Sequence, residues 1–214
     1  MTDIAIVDYG MGNLRSVYKA LEHVAPKSSV TVTSDCKVVR QAQRIVVPGQ
    51  GAMPNCMQEL DAHRLREAVV EAATNKPFLG ICLGLQMLFE DSEEGHVRGL
   101  GIMPGKVVHF PVATMKTADG QKLKVPHMGW NQVHQVIEHP LWQGIADNSR
   151  FYFVHSYYVE TTHANAIVAQ SDYPSPFTCA VAQDNIFAVQ FHPEKSQFAG
   201  LTLLSNFAKW TPRL

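Results

Sequence analysis

Short apolar runs alternate with segments of helical periodicity through the first half of the chain, and this alternation constrains the fold more than any other feature. Strands are expected at the apolar runs, which occupy Ile4–Val7, Val30–Thr33, 44–47 and 77–81. Helices are expected between them at 13–24 and 57–73, and another is expected to open at 83–89. Because the strands are apolar on both faces, the pattern predicts a parallel sheet covered by helices on both sides.

The second half of the chain has a different pattern. Strands separated by short turn segments are expected here, at 106–110, 131–136, 151–159, 166–170, 178–182 and 186–191. A last helix is expected at 199–210. No linker-like segment or internal repeat divides the chain. We therefore expect one domain, residues 1–214, of the α/β class, with an open, mixed and largely parallel sheet flanked by helices.

Composition excludes several classes of protein. Apolar residues make up 46% of the chain and the formal net charge is −1, so the chain is neither disordered nor basic enough to attract nucleic acid or anionic membranes. The longest nearly apolar stretch, 77–89, is too short to span a bilayer, and the first residues do not resemble a signal peptide. The four cysteines form no C-x-x-C pair. These features predict a cytoplasmic protein without a membrane or nucleic-acid partner.

The segment 80–84 reads Gly-Ile-Cys-Leu-Gly and joins an expected strand to an expected helix. In the serine version of this elbow, a sharp turn lifts the nucleophile out of the sheet, and the flanking glycines are needed because the turn leaves no room for side chains. The helix N-terminus favours a thiolate, and the N–H group of Leu83 is placed to donate to an oxyanion. Cys82 is therefore a candidate nucleophile, although a buried, inert thiol explains the spacing about as well.

A cysteine nucleophile needs a base and a group that orients the base, and His192-Pro193-Glu194 supplies both. Pro193 favours extended backbone at His192, and in an extended chain residues two apart point to the same side. Glu194 could then fix the tautomer of the His192 imidazole. By itself the tripeptide also fits a surface turn, and its pairing with Cys82 is what favours catalysis.

A glycine-rich segment, Pro48-Gly49-Gln50-Gly51-Ala52, follows the expected strand at 44–47. Glycines on both sides of Gln50 give a flexible backbone that can present N–H groups to an anion, although the segment alone fits an ordinary turn. Residues 10–15 begin like the dinucleotide-binding pattern G-x-G-x-x-G but have Arg15 in place of the third glycine. No Walker A motif or metal-binding histidine pattern occurs, so we expect no cofactor and no metal.

The segments PGQGA, GICLGLQ and HPEKS, in this order, resemble the class I (triad) glutamine amidotransferases. Two further strings, DYGMGNLRSV at 8–17 and PHMGWN at 126–131, are more specific and resemble the glutaminase subunits of imidazole glycerol phosphate synthases, enzymes of histidine biosynthesis. The resemblance extends from residue 4 to about residue 207. It implies a flavodoxin-like α/β fold and hydrolysis of L-glutamine to L-glutamate and ammonia through a cysteinyl thioester.

The resemblance also implies roles for individual residues. Cys82 would be the nucleophile, His192 the base and Glu194 the group that orients it. The oxyanion would be bound by backbone N–H groups of Leu83 and of the loop at Gln50 and Gly51, where Gln50 replaces an expected apolar residue. The positions that match glutamine contacts of the family are Gly51, Gln86, Glu94, Ser156 and Tyr157.

In this family the ammonia passes to a (β/α)8-barrel cyclase subunit, which forms imidazole glycerol phosphate and aminoimidazole carboxamide ribotide. The resemblance therefore implies a heterodimer with that cyclase. The positions that match the subunit interface are Asn13, Met128, Trp130 and Lys195. Trp130 would also fit a half-buried core position, and Lys195 would also fit a solvated surface position.

Three other functions remain open on the sequence. Another triad glutaminase, such as the subunit of pyridoxal phosphate synthase, would share the chemistry but would not explain PHMGWN. A cysteine peptidase on a similar sheet would need an open groove and would leave Gln86 unexplained. A catalytically inactive interaction subunit would be free to lose one of Cys82, His192 and Glu194, whereas the chain retains all three.

Overall fold

The computed structural model of the 214-residue chain describes residues 2–113, 115–116 and 120–212. The strands of this part of the chain are β1 (Ile4–Val7), β2 (Val30–Thr33), β3 (Arg44–Gly49), β4 (Phe78–Cys82), β5 (Phe89–Ser92), β6 (Val97–Arg98), β7 (Met103–His109), β8 (His127–Gln135), β9 (Ser149–His155), β10 (Tyr157–Thr161), β11 (Ile167–Asp172), β12 (Pro176–Gln183) and β13 (Ile186–Val189). The α-helices are α1 (Leu14–Val24), α2 (Cys36–Gln41), α3 (Met53–Ala62), α4 (Arg66–Asn75), α5 (Leu83–Gln86) and α6 (Gln197–Lys209).

Five parallel strands form the centre of the sheet, in the order β2, β1, β3, β4, β13. Beyond β13 the sheet continues with antiparallel strands β12, β10 and β7, and then with β5 and β6. A second path leads from β12 through β11 to the antiparallel pair of β8 and β9. The predicted α/β class, with a mixed and largely parallel sheet flanked by helices, is confirmed.

Alternate residues of the central strands face two separate apolar cores, which explains why these strands are apolar throughout. In β1, Ile4 and Ile6 pack in the core that includes α1 and α6, whereas Ala5 and Val7 pack in the core that includes α3 and α4. All four side chains are buried. The sheet is therefore covered on both faces, and the ends of β3, β4 and β13 lie side by side at its carboxyl-terminal edge, where open α/β sheets bind their ligands.

The prediction of one helix at 57–73 is wrong. Two helices, α3 and α4, occupy the region, and they are separated by Arg64, which has a left-handed φ of 56°. Leu60 and Leu65 face the same core across this break, and the Leu65 N–H donates to the Leu60 carbonyl at 3.0 Å. Apolar spacing alone does not detect such a break, because both sides of it face the same core.

Two other predicted elements are shortened or divided. The helix expected at 83–89 ends after one turn, because Phe89 already belongs to β5, which pairs with β7. The strand expected at 151–159 is two strands, β9 and β10, which are interrupted at Ser156 and pair with different neighbours. The short elements α2, β5 and β6 are not predicted, because they contain too few residues to show periodicity. The other expected elements are observed, with shifted ends except at β1 and β2.

Candidate active site

Cys82 lies where β4 turns into α5, at the carboxyl-terminal edge of the sheet. Its backbone has φ of 56° and ψ of −109°, a combination that residues with a Cβ atom rarely adopt. Such a residue costs about 1–3 kcal/mol and persists only where the surrounding structure holds it in place. The strain is therefore concentrated at the residue that the sequence marks as a candidate nucleophile.

Glycines make this strained turn possible, because backbone atoms occupy the space where their side chains would lie. A Cβ atom at Gly84 would be 1.8 Å from the carbonyl oxygen of Val47, and one at Gly80 would be 2.6 Å from the carbonyl oxygen of Gly84. Neither oxygen belongs to a flexible side chain that could move away. The G-x-C-x-G spacing is thus required by the close approach of β3, β4 and α5.

The single turn of α5 alters one expectation from the sequence. A helix at 83–89 would place a macrodipole behind Cys82, but α5 ends at Gln86 and has a much smaller dipole. The N–H groups of its first turn still lack carbonyl partners within the helix. The N–H group of Leu83, next to the sulfur, is therefore the local donor that the turn offers.

His192 and Glu194 form a buried pair immediately after β13. Nδ1 of His192 lies 2.9 Å from Oε1 of Glu194, and the two side chains are 2% and 1% exposed. His192 is extended, as expected, but Pro193–Lys195 forms a 3₁₀ turn that brings the carboxylate back to the ring. Nε2 of His192 is buried and has no hydrogen-bond partner within the described ranges, so it is the ring nitrogen left to face a reacting group.

Opposing effects set the ionisation of His192. Burial disfavours the imidazolium, but hydrogen bonds and charge attraction from a negatively charged Cys82 sulfur and from the Glu194 carboxylate outweigh it and raise the pKa of His192 to about 10. The imidazolium therefore persists well above neutral pH. The arrangement places a proton donor beside a sulfur nucleophile.

The main chain of His192 is fixed by β9. Its N–H donates to the carbonyl of Tyr152 at 2.9 Å, and its carbonyl accepts from Oγ of Ser196 at 2.6 Å. Ser196 Oγ in turn accepts from the N–H of Tyr152 at 3.0 Å. These three bonds hold the imidazole at a defined position relative to β9, which is paired with β8.

A cavity of about 390 Å³ opens at this edge of the sheet. It contains nearly all of the residues that the sequence singles out for catalysis, oxyanion binding and glutamine binding. Its lining residues include Gln50, Gly51, Cys82, Leu83, Gln86, Glu94, Ser156, Tyr157 and His192. Glu194 is the exception, because it lies behind His192. The structure thus brings together segments that are up to 142 residues apart, counted from Gln50 to His192.

Gln86 is held so that only its oxygen remains available. Its Nε2 group donates to the carbonyl of Tyr157 at 3.2 Å and to Oε1 of Gln190 at 3.0 Å, which uses both amide hydrogens. Gln190 then donates from Nε2 to the Cys82 sulfur at 3.7 Å. Gln86 therefore offers the cavity a hydrogen-bond acceptor, which suits a cationic group of a ligand.

Three side chains hold the loop between β3 and α3. The hydroxyl of Tyr9 donates to the carbonyl of Pro48 at 2.7 Å, the thiol of Cys56 donates to the carbonyl of Gln50 at 3.6 Å, and Oε2 of Glu94 accepts from the N–H of Met53 at 2.7 Å. Glu94 thus lines the cavity and anchors the loop at the same time. The same carboxylate therefore faces the cavity and holds the first residue of α3.

If the cavity binds glutamine, as the family resemblance implies, replacing Glu94 with glutamine should weaken that binding. The amide keeps an oxygen for the Met53 N–H but loses the negative charge that would face the ammonium group of the substrate. Because a hydrogen bond to a charged group is worth about 1.5–3 kcal/mol, we expect KM for glutamine to rise about 10- to 100-fold with a smaller change in kcat. Steady-state assays of glutamate release measure both constants.

Glu93→Gln is the matched control for this variant. Glu93 is the preceding residue, and its carboxylate accepts from the N–H of His109 instead of lining the cavity. An equal rise in KM in both variants would show that Glu94 has no special contact with the substrate.

The four candidate interface residues occupy different settings. Met128 and Trp130 are on β8 and are 62% and 38% exposed, and the indole of Trp130 meets the ring of Tyr152 edge-on at 6.2 Å. Lys195 Nζ lies 5.8 Å from the centre of the same Tyr152 ring. Asn13 caps α1 by accepting the N–H of Ser16 at 3.4 Å. Trp130 is thus partly exposed, packs on Tyr152 and does not belong to either apolar core of the described residues.

Several residues of this region are not predicted from the sequence. Gln190 contacts the sulfur but lies in an apolar run, and His155 lines the cavity without belonging to a recognised motif. Phe198 on α6 is 78% exposed and lines a shallow depression with Trp130. The one available signal is at Gln190, where a polar side chain interrupts the apolar run 186–191 just before His192.

Metal-binding clusters and membrane-spanning helices are both absent from the described ranges. No group of three or more His, Cys, Asp or Glu side chains there is arranged to hold a metal ion. Among the helices of those ranges, none is both long enough and apolar enough to cross a bilayer.

The sequence matches the family model described as glutamine amidotransferase class-I over residues 5–210. It is 70% identical to imidazole glycerol phosphate synthase subunit HisH of Nitrosospira multiformis, over 99% of this chain and 100% of the relative. It is 66% identical to the protein of the same name from Nitrosomonas europaea, again over 99% of this chain and 100% of the relative.

Solved structures are similar in fold at low sequence identity. A glutamine amidotransferase superposes with a TM-score of 0.72 at 14% identity, covering 96% of this chain and 99% of the other. A second glutamine amidotransferase, from Thermotoga maritima, superposes with a TM-score of 0.60 at 16% identity, covering 90% of this chain and 76% of the other.

Proposed function

This chain belongs to the class I glutamine amidotransferase family, and from this premise we propose that it is the glutaminase subunit of an imidazole glycerol phosphate synthase, with Cys82, His192 and Glu194 as its catalytic triad. The observation that carries the proposal is the position of Cys82. A strained cysteine lines the same cavity as an imidazole that is held by a buried carboxylate.

In the first half of the reaction, Cys82 attacks the carboxamide carbon of glutamine as a thiolate, its proton being the one that His192 holds. The carbonyl oxygen becomes an oxyanion, and the Leu83 N–H stabilises it. The His192 imidazolium donates a proton from Nε2 to the leaving nitrogen, and the C–N bond breaks. Ammonia departs and a glutamyl thioester remains on Cys82. The high pKa of His192, about 10, keeps the required proton on the ring at neutral pH.

In the second half, water hydrolyses the thioester. His192, now neutral, accepts a proton from water through Nε2 while the water oxygen attacks the carbonyl carbon. The C–S bond breaks, glutamate leaves, and the proton stays on His192 opposite the restored sulfur. Glu194 holds Nδ1 throughout, so Nε2 faces the substrate in both steps.

A second oxyanion donor would come from the loop at Gln50. The Gln50 carbonyl is held by Cys56, and the loop is also tied to Tyr9 and Glu94. Gly51, with φ of 101°, gives the loop a conformation that a side chain would resist. A backbone rearrangement at Gln50 could add an N–H donor, and a partner could favour that state by binding it more tightly.

The polar groups of the cavity predict how glutamine lies in it. Oε1 of Gln86 and the Glu94 carboxylate are acceptors, so they suit the α-ammonium group. Ser156 and Tyr157 also line the cavity, and the Tyr157 carbonyl accepts from Gln86. This orientation places the amino-acid end of glutamine near β10 and its carboxamide at Cys82.

The proposed partner is the (β/α)8-barrel cyclase, which would take up the ammonia. Met128, Trp130 and Phe198 are apolar and exposed, and Lys195 lies beside them over Tyr152. Exposed aromatic side chains in such a group are frequent anchors of protein interfaces. We assign Met128, Trp130 and Lys195 to this interface, together with Asn13 on the basis of the family resemblance alone.

The alternatives are less well supported. The subunit of pyridoxal phosphate synthase would not account for 70% identity to an imidazole glycerol phosphate synthase subunit over 99% of the chain. A peptidase would need an extended groove, whereas the cavity holds about 390 Å³, the size for a small molecule.

Glutamate release should be slow for the chain alone and faster with the cyclase and its nucleotide ligand. Couplings between two binding sites are typically worth about 1–3 kcal/mol, a factor of about 5 to 150 in affinity, and we expect the stimulation to be of this order. Trp130→Ala should reduce the stimulation while leaving the activity of the free chain in place. The measurement is glutamate production with and without the partner.

Val32→Ala serves as the control, because Val32 is exposed on the strand at the far edge of the sheet. Rapid turnover that does not depend on the partner would contradict the proposed regulation. If both alanine variants changed the stimulation equally, the assignment of Trp130 to the interface would be contradicted.

A further inference from the structure

Consecutive hydrogen bonds connect β8, the strand of Met128 and Trp130, to the sulfur of Cys82. We call this connection the polar line. Its members are Asn131, His127, His155, the Tyr157 carbonyl, Gln86, Gln190 and Cys82, with heavy-atom distances in that order of 3.3, 2.9, 2.8, 3.2, 3.0 and 3.7 Å. His127, His155 and Gln190 have no part in the proposed mechanism, although His155 lines the cavity.

Asn131 determines where the protons of the polar line lie. Its Oδ1 accepts the N–H of Gln132 at 2.8 Å, and its Nδ2 also donates to the carbonyl of Asp172 at 2.9 Å, so Nδ2 is the end that faces His127. Nε2 of His127 must then accept, and Nδ1 carries the proton and donates to His155. By the same reasoning His155 carries its proton on Nδ1 and donates to the Tyr157 carbonyl.

Both imidazoles are kept neutral by their surroundings. Burial lowers the pKa of His127 to about 4 and that of His155 to about 3. The ring of His127 stacks on Tyr173 at 4.1 Å and on Phe153 at 5.0 Å. Each ring therefore has one proton, and each proton has one acceptor along the polar line.

The Tyr157 carbonyl lies in the middle of the polar line and joins its histidine half to its glutamine half. It accepts from His155 on one side and from Gln86 on the other, so both of its lone pairs are used. A shift of His155 would therefore alter the support of Gln86, which in turn orients Gln190 against the sulfur.

We propose that the His127–His155 pair is a positioning device that fixes the Tyr157 carbonyl and Gln86, and that it couples a partner docked at Met128 and Trp130 to the glutamine cavity. Met128 is the next residue after His127 in β8 and Trp130 lies three residues after it, so docking on their side chains acts on the strand that carries the histidine. This inference rests on the proposed function, because it assigns the cavity to glutamine and the exposed face to the cyclase.

The decisive variant is His127→Phe, which keeps a ring in the aromatic stack and removes both nitrogens. We expect KM for glutamine to rise about tenfold, as for the loss of one supporting hydrogen bond, and kcat to change less. Stimulation by the cyclase should fall, while the affinity for the cyclase stays the same. Steady-state kinetics with and without the cyclase, and a binding titration, provide these values.

His139→Phe is the matched control. His139 is also largely buried among aromatic rings, 4.7 Å from Phe187, and its pKa is also lowered to about 4, but it lies outside the polar line.

The coupling itself is tested by combining His127→Phe with Trp130→Ala. If the polar line carries the coupling, the double variant loses no more stimulation than the stronger single variant. Losses that multiply, or a His127→Phe variant that behaves like the control, would overturn the proposal.

Nitrogen-15 NMR of the histidine rings tests the polar line without relying on activity. Both His127 and His155 should be neutral and protonated on Nδ1 in the unmodified chain. Asn131→Asp places an acceptor opposite Nε2 of His127 and should move the His127 proton there. A proton on Nε2 of either ring in the unmodified chain would refute the arrangement. Absence of any glutaminase activity would instead refute the proposed function, so the two failures are distinguishable.

Discussion

Replacing Cys82 with alanine is expected to reduce glutamine hydrolysis by at least about 10⁴-fold, both alone and with the cyclase, because no thioester can form. The variant should still fold, since alanine occupies less space and tolerates the φ of 56° no worse than cysteine does. It should also still bind glutamine, because Gln86 and Glu94 are unchanged. Glutamate release, glutamine binding and the midpoint of thermal unfolding together test these expectations.

Cys36→Ala is the matched control, because it deletes a thiol from a different part of the fold, the first turn of α2. Its glutaminase activity should equal that of the unmodified chain. Alkylation of the unmodified chain by an electrophilic glutamine analogue should be lost in Cys82→Ala and kept in Cys36→Ala. Retained turnover in Cys82→Ala would rule out the triad and the thioester with it.

The central part of the fold is predictable from the sequence because each strand is buried on both faces. All side chains of the apolar run Ile4–Val7 are buried only if an apolar core lies on each face of the sheet. Strands of this kind are typically parallel and joined by helical crossovers. The break at Arg64 and the short β5 are not predictable in the same way. Arg64 has no side-chain signature for a positive φ, and β5 forms because of pairing with β7, a contact that no local pattern contains.

The candidate site also has a part that is predictable from the sequence and a part that is not. Cys82 and its glycines form one short motif, and His192 and Glu194 form another, so local spacing makes both of them candidates, and their combination is what favours catalysis over a buried thiol and a surface turn. Gln190 reaches Cys82 across a sequence separation of 108 residues, and only the register of β13 beside β4 places it there. The polar line is likewise built from residues of separate strands: His127 lies in the string PHMGWN, but nothing in the sequence indicates that it meets His155, which belongs to no motif.

Replacing Gly84 with alanine is expected to have the second large effect, although the change adds a single methyl group away from the sulfur. The new Cβ would lie 1.8 Å from the Val47 carbonyl oxygen, within the sheet itself. Either β3 or α5 must move, and overpacking against fixed backbone belongs to the class of substitutions that cost more than about 4 kcal/mol. Urea unfolding should show this loss, and any folded fraction should be nearly inactive because α5 carries Leu83 and Gln86.

Gly101→Ala separates the clash from the general cost of replacing glycine. Gly101 has φ of 64°, and no atom of the described residues lies within 4 Å of the place that a Cβ would take. Alanine there meets backbone strain without a clash and should cost about 1–2 kcal/mol, with normal activity. If Gly84→Ala were as stable and as active as Gly101→Ala, that result would contradict the close packing of α5 on β3. The strained Cys82 conformation, and with it the placement of the sulfur between His192 and Gln190, depends on that packing.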